Sequence, residues 1–140
     1  MDDDQFEKLI EKALADLPKE FSEKLENVSV TLQDWPSIAQ GRAQKERGET
    51  GLLLGLYEGV PKTKRSYYGI GGQLPDKITI FKLPLLMISQ NPGDIETNVK
   101  NTVIHEIAHH FGMSDDEIYK ITRKVVPKKV ININDEASDQ

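Results

Sequence analysis

All three histidines of this chain fall within one short run, His105-Glu106-Ile107-Ala108-His109-His110-Phe111-Gly112-Met113-Ser114-Asp115. The apolar positions Ile95, Val99, Val103, Ile104, Ile107, Ala108 and Phe111 recur at helical spacing up to and through it. The run therefore belongs to a helix of ~25 Å at 1.5 Å per residue, one stripe of which must pack against another element. His105 and His109 are four apart and lie one above the other on a single face. Glu106 projects about 100° round from His105. Two imidazoles and one carboxylate thus have fixed relative positions before anything else about the fold is known.

Around this helix the chain reads as alternating helices and short strands. Phe6, Leu9, Ile10, Ala13, Leu14 and Leu17 mark a helix over residues 3–17, and Pro18–Glu26 a second short one. Val28, Val30 and Leu32 alternate with polar residues as a half-buried strand. Residues 37–50 are polar and charged and are expected to form an exposed loop. Gly51–Glu58 is an apolar run expected to be a buried strand, with Gly55 marking a bulge or a close backbone approach. Gly59–Asp76, with three glycines and two prolines after its first residue, reads as a long loop. Lys77–Leu83 is a third strand, and Pro84–Ser89 one or two helical turns. Asp94 is the expected N-cap of the histidine-bearing helix, Gly112 its C′ residue, and Ser114-x-x-Glu117 a capping box for a following helix with Ile118, Ile121 and Val125 inward. The sum is one α+β domain over residues 1–127, with three to four strands, and a polar tail over 128–140.

Charge and composition exclude several classes. With no cysteine, disulfides and thiolate metal sites are out, so a metal must be held by histidine and carboxylate. A net charge of −5 argues against a broad nucleic-acid footprint. No apolar run approaches the ~18 residues of a membrane span, and the acidic amino end is unlike a signal peptide, so a cytoplasmic location is expected.

His-Glu-x-x-His on a helix is the arrangement of zinc hydrolases, in which the glutamate works on a water and does not ligate. The plainer reading, core histidines bonded to carbonyls, leaves three ionisable groups on one mostly apolar helix without a shared partner, which costs several kcal/mol. Catalytic zinc usually takes three protein ligands. Asp115 can supply the third if the turn at Gly112 swings the chain back, or it can serve only as an acidic residue in the first turn of the next helix. Tyr57, Arg65, Tyr67 and Tyr68 are candidates for contacting substrate or for donating to an oxyanion.

The run His105–Asp115 resembles the signature H-E-x-x-H-x-x-G-x-x-D, and together with Gly55-Leu56-Tyr57-Glu58-Gly59-Val60-Pro61 it makes the chain similar to the bacterial minimal zincin-like metallopeptidases over roughly residues 18–125. That resemblance implies a small mixed sheet backed by helices. It implies one Zn²⁺ held by His105, His109 and Asp115, with Glu106 as general base in peptide-bond hydrolysis. The strand at 77–83 would border the cleft. The Met-turn and the carboxy-terminal subdomain of larger metzincins are missing. The expected partner is a peptide or protein, added as a strand at a sheet edge. Two alternatives stand beside this: a non-catalytic binding module on a zincin scaffold, and a metal-dependent RNA hydrolase, against which the acidic charge and the lack of a further histidine both weigh.

Overall fold

The computed structural model describes residues 1–59 and 74–123. Helix α1 (Asp3–Ala15) starts at a reciprocal cap: the Asp2 carboxylate accepts from the Gln5 amide, and the Gln5 side chain accepts from the Asp2 amide. Its inward residues Phe6, Ile10 and Ala13 are buried. Pro18 stands just outside the short α2 (Lys19–Ser22), which tightens into a 3₁₀ turn at Glu23–Leu25. Then come β1 (Val28–Gln33), α3 (Ile38–Glu46), β2 (Gly55–Glu58), β3 (Asp76–Phe81), α4 (Lys82–Ile88), α5 (Pro92–His110) and α6 (Asp115–Arg123).

The three strands form one mixed sheet in the order β1-β3-β2. β1 and β3 are parallel, Val28 facing Asp76 and Gln33 facing Phe81. β2 runs antiparallel to β3, with Gly55 opposite Ile80 and Tyr57 opposite Ile78. Helices with a small mixed sheet make this the expected α+β architecture. Successive side chains leave opposite faces of a strand, and here both faces of β3 are covered. Ile78 and Ile80 face the main core with Tyr57, Phe6, Val99, Val103 and Ile107. Phe81 packs on the other side with Leu53, Leu56 and, from α3, Ala43. Each fully buried phenylalanine or leucine in these layers contributes ~1.5–3 kcal/mol by burial.

At Gly55 the sheet backbone lies close against helix α5. A Cβ there would lie 2.6 Å from Thr102 Cγ2 of α5 and 3.2 Å from the Thr79 carbonyl oxygen. The glycine in the apolar run is therefore a close approach of backbone to helix, one of its two expected roles.

Four local expectations need correction. Residues 37–50 are not a loop: Ile38–Glu46 is helical, capped by a reciprocal bond pair between Ser37 and Gln40. The helix lacks an apolar stripe because it is held by polar contacts. Gln40 is buried and links to Gln33 (2.8 Å) and Glu58 (3.5 Å). The strand at 51–58 is regular only from Gly55, and Gly51 turns with a positive φ of 95°. The third strand stops at Phe81, where Lys82 opens α4 and bonds Asp3 across the fold at 2.7 Å. Finally, Asn91 and not Asp94 caps α5: its side chain accepts from the Asp94 amide (2.9 Å), and Pro92 fills the first turn. Among the described residues no helix is long and apolar enough to cross a membrane. Arg65, Tyr67, Tyr68, Val125 and the tail at 128–140 lie outside the described residues.

Candidate metal centre

Helix α5 presents two faces to two environments. Val99, Val103 and Ile107 are fully buried in the core, and Glu106 continues that face beneath β2 at 3% exposure. A carboxylate buried to that degree needs partners. It has two. The Tyr57 main-chain amide donates to Glu106 Oε1 at 2.7 Å, and Arg47 Nη1 reaches the same oxygen at 3.4 Å. His105 and His109, turned away from the core, are the exposed edge of the helix, with side chains 58% and 43% accessible. Their rings lie 4.4 Å apart.

A third group meets the histidines from far away in sequence. Helix α3 ends at Arg47, and Gly48 takes a φ of 76°. Its amide bonds the Lys45 carbonyl (2.9 Å), and the Glu49 amide bonds the Gln44 carbonyl (3.2 Å). This is the Schellman pairing, for which glycine is the favoured residue because the left-handed conformation costs it no Cβ clash. The turn reverses the chain and carries Glu49 to α5. There its Oε2 lies 3.4 Å from both His105 Nε2 and His109 Nε2, while Oε1 bonds Arg47 Nη2 at 2.7 Å. Arg47 thus touches both Glu49 and Glu106.

The arrangement fits a divalent ion. One ligand atom from each of Glu49, His105 and His109 lies within 4.8 Å of the others. Two donors each ~2.0–2.1 Å from a tetrahedral zinc stand ~3.3–3.4 Å apart. The two 3.4 Å separations match that spacing, and both exceed the usual ~2.9–3.0 Å of a nitrogen–oxygen hydrogen bond. Imidazole nitrogens with a carboxylate oxygen are also a donor set zinc accepts.

A family model described as a zincin-like metallopeptidase matches residues 25–124. The chain belongs to the zincin-like metallopeptidase family. The match runs from the 3₁₀ turn to the end of α6, so it takes in the histidine pair, Glu106, Glu49 and Tyr57 together. The family implies zinc. A conserved hypothetical protein of Thermus thermophilus is similar in structure, at 22% identity and a TM-score of 0.46, covering 76% of this chain and 91% of its own. No curated protein matches.

Asp115 is exposed in the first turn of α6. It follows the Gly112 turn (φ 65°), where the Met113 amide bonds the Ala108 carbonyl at 2.9 Å. The ligand atoms that converge in the described residues are those of Glu49, His105 and His109, and Asp115 is not among them. Tyr57 is buried, and its hydroxyl donates to Asp76 Oδ2 at 2.7 Å. Its ring stacks on His110 with centroids 3.9 Å apart. The part of Tyr57 that meets the catalytic candidate is its amide. His110 faces Asp76 (3.8 Å), away from the pair.

Beside the centre runs a cleft of about 350 Å³ between α5 and the segment leading into β2. Glu49, His105 and Glu106 line it together with Leu53, Asn98 and Asn101. Glu49 lies outside the histidine motif, 56 positions before His105. Two local signals point to it: Ser37-x-x-Gln40 as a capping box, and Gly48 one residue past the end of the helix so capped.

Proposed function

We propose that this protein is a zinc-dependent metallopeptidase that hydrolyses peptide bonds at the His105–Glu106–His109 site. The placement of Glu106 carries this reading: a buried carboxylate next to the accessible His105 and His109, lining a cleft and bonded to the edge strand β2. Zinc, when bound, supplies Lewis acidity toward the scissile carbonyl and the attacking water. His105 and His109 would hold it through ring nitrogens, with a carboxylate as the third ligand, the role that the resemblance of His105–Asp115 to the zincin signature gives to Asp115. Glu106 takes the water's proton and returns it to the leaving amine.

Substrate is proposed to bind as an extended strand beside β2, which forms one edge of the sheet. The Tyr57 amide that Glu106 holds is a main-chain donor of that strand. A peptide carbonyl that takes this amide would both register the substrate and release the base. In this role Tyr57 donates through its backbone, and Arg65, Tyr67 and Tyr68 are proposed as further substrate contacts. A cytoplasmic setting is proposed with it, in keeping with a chain without cysteine.

The test is a zinc-loaded protein on a peptide library beside the Glu106→Gln variant. Loss of the base should lower turnover ~10²–10⁴-fold while zinc stays bound. Turnover that survives the substitution sinks the mechanism. The rival reading, a zincin scaffold that binds without hydrolysing, draws on the two donors that tie down Glu106. It predicts no cleavage of any peptide by either form, with zinc bound for stability or not at all.

A further inference from the structure

The zincin signature accounts for residues on and just after α5, but it says nothing about the segment between α3 and β2. We propose that Glu49, in place of Asp115, is the third protein ligand of the metal held by His105 and His109, delivered by the Gly48 turn and held in place by Arg47, so that the fourth position of a tetrahedral ion stays open to water. The proposal rests on the reading of this site as a metal centre, not on its being a peptidase.

Three observations converge on it. Glu49 Oε2 is equidistant, at 3.4 Å, from the two imidazole nitrogens, the spacing of donors sharing one tetrahedral ion. The side chain is only 23% exposed although it sits on a surface turn, so it is drawn in toward α5. Its second oxygen is occupied by Arg47 at 2.7 Å, leaving Oε2 for the histidine side. A carboxylate that ligates through one oxygen is commonly oriented by a hydrogen bond to the other, and Arg47 supplies it.

Arg47 has a second consequence. It spans Glu49 and Glu106, so the ligand and the base candidate share one cation. Arg47 is a positioning residue, acting on the site through these two carboxylates. Its removal should loosen Glu49 and so weaken metal binding, but only while Glu49 is present to be positioned.

The experiment is a zinc titration of the full chain against a chromophoric chelator, with Co²⁺ absorption as a second reading of the coordination sphere. Glu49→Gln should bind zinc at least ~10-fold more weakly and alter the Co²⁺ spectrum. Glu46→Gln, which removes the same charge at the exposed end of α3, should bind as wild type, separating ligation from general electrostatics. Arg47→Met should weaken binding in the wild-type background and have no further effect in Glu49→Gln, the coupling expected when one residue acts through the other. Matched apo-protein melting curves show that each variant folds. Zinc affinity and Co²⁺ spectrum unchanged in Glu49→Gln, or lost equally in Glu46→Gln, overturn the assignment. Weakened binding in Glu49→Gln by a protein that cleaves no peptide leaves the ligand in place and removes only the peptidase reading.

Discussion

The Tyr57 amide and the Glu106 carboxylate, 49 positions apart in sequence, are joined by a buried hydrogen bond of 2.7 Å. It ties the base candidate on α5 to the strand along which a substrate would lie. The same bond gives Glu106 a structural role that is separable from chemistry. Glu106→Ala leaves a buried amide without an acceptor and should destabilise the apo protein by ~1–3 kcal/mol. Glu106→Gln keeps an oxygen for that amide and should cost less than ~1 kcal/mol. Urea unfolding of the two variants makes the comparison, and equal losses would show that the amide bond is not what stabilises.

Gly55 should tolerate no side chain. Its added Cβ meets the Thr102 methyl at 2.6 Å, and overpacking of this kind costs ~1–3 kcal/mol. Thr102→Ser deletes that methyl and retains the hydroxyl that bonds the Asn98 carbonyl at 2.7 Å. Gly55→Ala combined with Thr102→Ser should recover part of the loss. Recovery will be incomplete, because the Thr79 carbonyl at 3.2 Å is backbone. Strictly additive losses in thermal melts would count against the contact.

Gly48 has space for a side chain but the wrong backbone for one. Nothing lies within 4 Å of its added Cβ, yet its φ is 76°. Gly48→Ala should cost ~1–2 kcal/mol from the left-handed conformation alone, and Gly48→Asn less, since asparagine visits that region more readily. Because the turn delivers Glu49, zinc affinity should follow the same order: wild type, then Asn, then Ala. An alanine variant as stable as wild type would show that the turn opens at no cost.

The end of α1 is joined to α5 by Lys100, whose ammonium lies 2.8 Å from Asp16 Oδ2. The hydrogen bond from Lys100, and then its positive charge, hold the Asp16 carboxyl below the usual aspartate range. With the folded-state value depressed, the contribution is present above the unfolded carboxyl's pKa and is lost as pH falls through the folded one. Lys100→Met should return Asp16 to the ordinary aspartate range, read by carboxyl NMR titration. Added salt should shift the wild-type value the same way, since the pair is at the surface. A titration unaffected by the substitution would show that the pair does not form in solution.

Much of the frame of this protein follows from local rules. The apolar period places α1 and α5, and alternation places β1. Gly112 and the Ser114–Glu117 pair end one helix and begin the next as their residue types require. Helix α3 is hidden in the sequence because its inward residue is Gln40, so the usual apolar stripe is missing and only its caps betray it.

The order of residues 105–109 alone puts His105, Glu106 and His109 on one helix with fixed angular offsets, because 3.6 residues per turn leaves no alternative. Sequence also sets family membership, through a match that runs over residues 25–124. Only the tertiary structure decided which of those side chains is buried, what holds Glu106, and that Glu49 meets the histidines. Those outcomes depend on how closely α5 packs on β2 and where the α3 turn points. Contacts between residues 56 apart are set by the packing of whole elements, and no local propensity encodes them.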